Sequence, residues 1–189
     1  FTFRVGKFGN KHYAFDLEPV SFPRQVMLWN KTMFEENNWP NLYELMDSRE
    51  WTWSKMLEIA QLATKDLNGD GTYDIHGLAG YADLYQTQVI LSNAAELITV
   101  DSNGKPSFTA DSENAVEAFN FLMDLQRKYN VFGEPEAPTW DYYIEAFKQR
   151  KVAMIFTELY LAGNLKDMED DFGVVVPPMG PKSETYSSR

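Results

Sequence analysis

Along the chain, short apolar runs alternate with longer stretches in which apolar residues recur every three or four positions. The short runs predict strands and the longer stretches predict helices. The clearest helix is predicted over 53–65, where Met56, Ile59 and Ala63 form an apolar stripe and Thr52 is placed as the N-cap. Further helices are predicted over 31–37, 112–129 and 140–149, with one of about ten residues between the last two predicted strands.

The predicted strands are short and mostly apolar. Two of them, over 3–8 and 12–15, flank Gly9-Asn10 and are typical of a hairpin. The other strands are predicted over 25–29, 75–81, 152–156 and 172–176. Because helices alternate with these strands, the pattern predicts the α/β class, with a sheet covered by helices on both faces. The proline-rich stretch over 177–181 cannot continue a sheet and predicts a connecting segment.

The composition is that of a folded globular protein, with 44% hydrophobic and 24% charged residues over 189 positions. A formal net charge of −11 repels a phosphate backbone or an anionic membrane surface, so we expect no nucleic-acid partner. Because it lacks cysteine, the chain cannot use a thiol in catalysis or bind zinc through cysteine. It begins at Phe1, with neither an initiator Met nor a leader, and we expect a processed or excised piece of a longer protein.

An acidic loop over 66–74 has oxygen-bearing side chains at alternate positions, the spacing of a calcium-binding loop of the EF-hand type. Gly71 stands at the sixth position, where the chain must reverse, but Gly77 replaces the bidentate Glu of the twelfth. The candidate ligands of a structural Ca²⁺ are the side chains of Asp66, Asn68, Asp70 and Asp74 and the carbonyl of Thr72. The alternative is a turn without an ion, built from residues that tolerate left-handed backbone.

The sequence contains few features that are typical of an enzyme. The two histidines, His12 and His76, lie far apart in strand-like segments, and the chain lacks the motifs of a nucleophile elbow, a phosphate loop or a zinc protease. The sequence alone does not exclude two carboxylates that face each other across a cleft, as a glycosidase requires. A carbohydrate-active enzyme domain and a calcium-stabilised interaction module therefore stand as alternatives to a binding protein.

Three sets of segments carry a pattern that extends over nearly the whole chain. They are GNKHYAF at 9–15 with LWNKTMF at 28–34; NLYEL at 41–45 and WTW at 51–53 with the acidic loop and GLAG at 77–80; and FKQRKVAM at 147–154 with FGVVVPP at 172–178. In order and spacing they resemble the family 1 extracellular solute-binding proteins of ABC transporters, which include maltose-binding protein. The chain departs from the family pattern at Arg150, where a Gly is usual, at Ser54-Lys55, and at Asp16 in place of a proline.

The resemblance implies a fold of two α/β lobes that close on a ligand about a hinge. The matching segments resemble the C-terminal lobe of the periplasmic binding protein-like type II fold, in which helices flank a central mixed sheet. The expected organisation is a hinge or crossover segment over 1–24, the lobe over 25–176 and a return hinge segment over 177–189.

The resemblance also implies which residues face the ligand. A flat aromatic ring covers the apolar face of a sugar, while carboxylates and amides bind its hydroxyl groups. Tyr160 matches the position of a stacking aromatic residue, and Asp83 and Tyr85 match an acidic residue and a tyrosine that contact sugar. The remaining candidates are Glu158 and Asn164, which flank Tyr160, and Arg24 near the hinge, which suits either an anionic substrate or an ion pair with a surface carboxylate.

The function that the resemblance implies is capture of a sugar or oligosaccharide between two lobes and its delivery to the permease of an ABC importer. No catalytic residue is expected, and Ca²⁺ is the only cofactor considered. The protein is expected to be a monomer outside the cell, held as a lipoprotein or free in the periplasm.

Overall fold

The computed structural model describes residues 7–8, 11–13, 24–133 and 139–187, apart from the side chains of residues 7, 8, 12 and 82–84. The strands are β1 (Lys7–Phe8), β2 (Lys11–His12), β3 (Gln25–Asn30), β4 (His76–Gly80), β5 (Ile98–Val100), β6 (Pro106–Phe108), β7 (Val152–Glu158) and β8 (Phe172–Val175). The α-helices are α1 (Lys31–Glu36), α2 (Leu42–Asp47), α3 (Trp53–Ala63), α4 (Ala82–Ser92), α5 (Glu113–Arg127) and α6 (Tyr142–Lys148), and a 3-10 helix covers Leu159–Leu165.

Four strands form a mixed sheet in the order β4-β7-β3-β8. Strand β7 is parallel to β4, whereas β3 is antiparallel to both β7 and β8. The sheet has helices on its two faces, so the predicted α/β class with a central mixed sheet is confirmed. Two further pairs, β1-β2 and β5-β6, form small antiparallel hairpins.

The core lies on both faces of this sheet. All of β3 is buried, and its successive side chains point to opposite faces. Met27 and Trp29 belong to the apolar cluster under α3, α4 and α5, while Val26 and Leu28 belong to the cluster under α6. Burying a side chain of this size stabilises the fold by about 2 kcal/mol relative to exposure.

Side-chain caps define where several helices begin. The Thr52 hydroxyl accepts a hydrogen bond from the backbone N–H of Lys55, and the Ser112 side chain does the same for Ala115. The Thr52 cap confirms the predicted start of α3, and α5 begins at Glu113, one residue after its predicted start. Both helices end about two residues earlier than predicted, at Ala63 and Arg127.

Some elements differ from the sequence-based predictions. Helix α4 was not predicted, because it buries the polar Gln88 and Ser92 together with apolar residues and so lacks an apolar stripe. The indole N–H of Trp53 donates to the Ser92 hydroxyl at 2.9 Å, which makes that burial possible. The helix of about ten residues expected after β7 is a 3-10 helix of seven residues, and Gly163 within it disfavours an α-helix. The sequence also missed α2 and the β5-β6 hairpin.

The predicted hairpin near the start of the chain is confirmed where it is described, since Lys7 pairs with His12. The turn at Gly9-Asn10 and most of the predicted hinge segment over 1–24 lie outside the described residues. The predicted return segment packs on the lobe, because Met179 is buried and its carbonyl accepts from the backbone N–H of Trp53 at 3.0 Å. The domain boundaries stay predictions. Within the part of the chain described above, the helices are too short or too polar to cross a bilayer.

Candidate functional site

Polar and aromatic side chains gather where the parallel strands β4 and β7 end. Strand β4 ends at Gly80 and β7 ends at Glu158, and Glu158 pairs across the sheet with Gln25 at the start of β3. The residues just beyond these positions therefore share one edge of the sheet, where ligands gather in α/β folds. We call it the carboxyl edge, defined by Arg24, Tyr81, Glu158 and Tyr160.

An ion pair joins two chain segments at the carboxyl edge. The Arg24 Nε donates to the Glu158 Oε1 at 2.6 Å. Glu158 is only 7% exposed, whereas 72% of the Arg24 side chain remains exposed. The backbone N–H of Leu159 also donates to the Arg24 carbonyl at 2.8 Å, which fixes the start of β3 against the end of β7. Since an ion pair with an exposed partner contributes about 1 kcal/mol or less, the pair's main effect here is orientation.

Tyr160 places its ring in solvent beside this ion pair. The side chain is 66% exposed, and the neighbouring Glu158 side chain is the main cause that raises the pKa of the phenol. Beneath it, Tyr143 is fully buried, and burial raises the pKa of that phenol too. The hydroxyls of Tyr143 and Thr157 lie 3.5 Å apart. The carboxyl edge thus combines an exposed aromatic ring with polar groups, the combination that sugar recognition requires.

Tyr85 is buried, unlike Tyr160. Tyr85 lies in the first half of α4 and is only 6% exposed, with its ring centroid 4.6 Å from that of Phe132. Its hydroxyl accepts a hydrogen bond from the Gln126 side chain at 3.0 Å. This packing favours a structural role for Tyr85, because the helix turns the ring toward the sheet. Its predicted contact with ligand stays a prediction.

The structure gives less detail on two other predicted ligand contacts. Asn164 is exposed, one turn after Tyr160 in the same 3-10 helix. Asp83 lies in the first turn of α4, but its side chain is outside the described part of the structure. The structure therefore brings Arg24, Glu158 and Tyr160 together, with Asn164 on the same helix as Tyr160.

Tyr81 is an edge residue that sequence reasoning missed. It follows Gly80 directly, stands at the N-cap position of α4, and is 39% exposed. The signal that could have identified it is an aromatic residue placed immediately after a buried strand. Like Tyr160, it offers ring surface at the carboxyl edge.

A cavity of about 580 Å³ lies near the opposite end of the same strands. Its lining includes His76 and Val152, where β4 and β7 begin, together with Tyr142 of α6. None of the predicted ligand contacts lines it. We place the candidate site at the carboxyl edge, because the predicted contacts Arg24, Glu158 and Tyr160 lie there and none of them lines the cavity.

The acidic loop satisfies its own polar groups. Asp66 accepts from the backbone N–H groups of Gly69 and Gly71 at 2.7 and 2.8 Å, and Asp70 accepts from that of Thr72 at 2.8 Å. These hydrogen bonds lower the pKa values of both carboxyl groups, with those from Gly71 and Thr72 as the largest causes for Asp66 and Asp70. The Asn68 side-chain oxygen accepts from the backbone N–H of Asp70, and the Asp74 carboxylate accepts from the backbone N–H of Leu67.

The acidic loop has some, but not all, of the features of a calcium site. Its candidate ligands are all oxygens, as a hard cation prefers. However, among the described residues no group of three or more histidine or acidic side chains is arranged to hold a metal ion. The loop as folded therefore offers the right chemistry without a formed cage, and calcium binding stays a prediction.

Solved structures with the same fold are binding proteins. The maltose/maltodextrin-binding domain MalE of Bdellovibrio bacteriovorus, bound to maltotriose, is 19% identical, with a TM-score of 0.68 over 87% of this chain and 39% of that chain. The GacH receptor of Streptomyces glaucescens, solved unliganded and with acarbose, is 19% identical, with a TM-score of 0.69 over 99% of this chain and 44% of that chain. At this identity the likeness shows the fold.

A curated relative matches part of the sequence. It is the fructooligosaccharide ABC transporter substrate-binding protein FusA of Streptococcus pneumoniae, 27% identical over 92 residues, which are 49% of this chain and 17% of the relative. The chain spans about two fifths of the length of the two solved structures named above. Residues 11–187 match the sequence profile of one family. The chain therefore belongs to the bacterial extracellular solute-binding proteins, a family of binding proteins and not of enzymes.

Proposed function

We propose that this chain forms one wall of the sugar-binding cleft of an ABC transporter substrate-binding protein. The observation that carries the proposal is the exposed Tyr160 ring beside the Arg24–Glu158 pair at the carboxyl edge. Sugars present an apolar face to aromatic rings and hydroxyl groups to polar side chains. The proteins of similar fold are described as bound to maltotriose or acarbose, and the curated relative as a fructooligosaccharide-binding protein, which supports a sugar as the solute.

The proposed mechanism is capture by closure. A ligand that touches both walls of the cleft stabilises the closed arrangement of the whole protein, and a permease then recognises that arrangement. The protein would act as a monomer and change no covalent bond in its ligand. Because the wall described here supplies only part of the contacts, we expect this chain alone to bind sugar weakly.

An NMR titration of this chain tests the proposal. Maltotriose and a short fructo-oligosaccharide are added at millimolar concentration while amide signals are followed. We expect concentration-dependent shifts at Tyr81 and around Tyr160, and their loss in Tyr160→Ala. Tyr73→Ala is the matched control, because Tyr73 is also exposed but precedes β4 at the other end of the sheet. Shifts confined to the cavity beside His76, or no shifts with either sugar, would contradict the proposal.

The acidic loop supports a second, structural proposal. We propose that Asp66, Asn68, Asp70 and Asp74, with the Thr72 carbonyl, hold a Ca²⁺ ion that stabilises the turn between α3 and β4. The oxygen-only donor set supports this proposal, while the missing bidentate Glu implies weak binding, with a dissociation constant of about 10⁻⁴ to 10⁻³ M.

The family is extracellular, and the finer location is also a proposal. We propose that the whole protein is held at the membrane as a lipoprotein or moves freely in the periplasm. Fractionation of cells after labelling with a radioactive fatty acid distinguishes the two. A labelled membrane fraction indicates an anchor, and recovery in the cytosol would contradict both locations.

A further inference from the structure

Arg24 has most of its side chain in solvent, yet its orientation at the carboxyl edge is fixed. Its Nε donates to the Glu158 Oε1 at 2.6 Å, and 72% of the side chain stays exposed. A guanidinium carries five N–H groups in one plane, so a bond at Nε sets the direction of the other four. Of the residues that the structure describes, only Glu158 accepts a side-chain hydrogen bond from Arg24. The N–H groups on Nη1 and Nη2 are therefore available to a molecule at the carboxyl edge.

The backbone on both sides of this ion pair is fixed as well. Gln25, which follows Arg24, is the register partner of Glu158 in the β3-β7 pair. The backbone N–H of Leu159 donates to the Arg24 carbonyl at 2.8 Å. Because these bonds order the guanidinium before a ligand arrives, less conformational entropy is lost on binding.

The positive charge of Arg24 is already compensated. Glu158 is only 7% exposed, so its carboxylate depends on Arg24 as a counter-ion. A carboxylate, phosphate or sulfate group on a ligand would compete with Glu158 for the guanidinium and leave a buried charge without its partner. The net charge of −11 opposes an anionic ligand further. The pair thus offers hydrogen-bond donors without the positive charge that attracts an anion.

We propose that the Arg24–Glu158 pair makes the site selective for neutral sugars. Arg24 donates from its Nη atoms to hydroxyl oxygens of a neutral oligosaccharide, and Glu158, which orients Arg24, disfavours acidic sugars such as uronates. The inference rests on the proposed function and names its substrate class. The sequence left open whether Arg24 binds an anionic substrate or pairs with a carboxylate, and the ion pair with Glu158 favours the second role.

Matched neutral and acidic sugars test the selectivity. Maltotriose and a short fructo-oligosaccharide are each compared with the same sugar after oxidation of one primary hydroxyl group to a carboxylate. Amide NMR titrations of this chain at neutral pH give the dissociation constants. We expect each neutral form to bind about tenfold tighter than its acidic form, because the acidic group meets a carboxylate whose cation is already paired.

Glu158→Gln removes the counter-ion and keeps the shape of the side chain. Since the charge of Arg24 is then uncompensated, the acidic form should gain about tenfold relative to the neutral form, so that the preference disappears or reverses. Glu145→Gln is the matched control, because Glu145 is an exposed carboxylate paired with Lys148 on α6, and it should keep the preference. An unchanged preference in Glu158→Gln would overturn the proposal.

Two changes at Arg24 separate its N–H groups from its charge. Arg24→Gln should weaken binding of the neutral sugar about fivefold, the effect of losing a hydrogen bond from a charged donor. Arg24→Lys keeps a cation beside Glu158 but lacks the planar Nη groups, so the urea midpoint should be retained while sugar binding stays weak. Lys148→Gln is the control for removal of an ion-paired cation. Full affinity for the neutral sugar in either Arg24 variant contradicts the proposed role of the Nη groups.

A ligand-free measurement covers the case in which Glu158→Gln does not fold. The Nε–H signal of Arg24, identified by its loss in Arg24→Gln, should exchange with water more slowly than that of Arg127, an exposed arginine at the end of α5. Exchange as fast as at Arg127 would show that the carboxylate does not hold the guanidinium, and the proposal would fail.

The outcomes separate this inference from the proposed function. Equal affinity for both forms, or tighter binding of the acidic form, overturns the selectivity and leaves the sugar-binding wall in place. If the unaltered chain binds none of these sugars, the proposed function and the inference fail together.

Discussion

The two polar regions at the ends of β4 differ in where their hydrogen-bond partners lie along the chain. The acidic loop before the strand takes its hydrogen bonds from its own backbone, within a span of nine residues. The carboxyl edge after the strand depends on Arg24 and Glu158, which are 134 positions apart. In the loop, Asp70 and Asp74 are exposed and Asp66 is half-buried, whereas Glu158 at the carboxyl edge is buried.

This difference separates a local motif from a site made by the tertiary fold. A turn that satisfies its own groups forms wherever its residues occur together, and it can serve stability alone. A buried carboxylate is retained only if distant partners compensate its loss of water. At the carboxyl edge the partner of Glu158 is Arg24, which lies 134 positions away along the chain.

The largest difference in stability is expected between the alanine variants of Tyr85 and Tyr160. Tyr85→Ala removes a buried ring that packs on Phe132 and Phe156, so we expect a loss of about 3 kcal/mol in the free energy of unfolding. Tyr160→Ala should leave the urea midpoint unchanged, because that ring is exposed. Urea unfolding followed by tryptophan fluorescence measures both. A stable Tyr85→Ala chain that has lost its response to sugar would instead make Tyr85 a ligand contact.

Adding calcium tests the acidic loop and should have an intermediate effect on the stability of the chain. Millimolar CaCl₂ should raise the melting temperature by about 2–4 °C, as expected for a weak ion that binds only the folded chain. Asp66→Asn should abolish the rise, whereas Asp101→Asn in the β5-β6 turn should keep it. MgCl₂ is the control ion, since Mg²⁺ demands a tighter octahedral site. A flat calcium titration of the unaltered chain would mean a turn without an ion.

Lowering the pH should have the smallest effect on the stability of the loop. The direction of this effect follows from the lowered pKa values of Asp66 and Asp70. A carboxyl group whose pKa is lower in the folded chain stabilises that chain fully above its unfolded value of 3.8. That stability is lost as the pH falls through the lower folded value. Urea unfolding below pH 4 should therefore show a shallower decline in Asp66→Asn and Asp70→Asn than in the unaltered chain.

The control for acid is Asp167→Asn, an exposed aspartate outside the loop. It should leave the decline unchanged. Carbonyl ¹³C chemical shifts give a direct check, because both loop carboxyl groups should titrate below 3.8. Titration at or above that value would show that the loop hydrogen bonds do not persist in solution.

Local sequence patterns were sufficient to predict several features of this protein. The cap at Thr52 and the strands β3 and β7 follow from short-range spacing of residue types. The family was indicated by the resemblance of several short segments, in order over nearly the whole chain, and is confirmed. Such features depend on neighbours a few positions away, so the sequence displays them directly. Helix α4 escaped prediction because its buried polar residues find partners elsewhere in the fold, as Ser92 does with Trp53.

The tertiary structure alone decided how the candidate site is organised. The sequence supplied both Tyr85 and Tyr160 as candidate ligand contacts, and only the tertiary structure shows that the first is buried and the second exposed. The sequence named Arg24 and Glu158 separately, and only the antiparallel register of β3 with β7 brought them together. Burial and ion pairing depend on which distant segments the sheet makes adjacent, and residue spacing along the chain does not encode that adjacency.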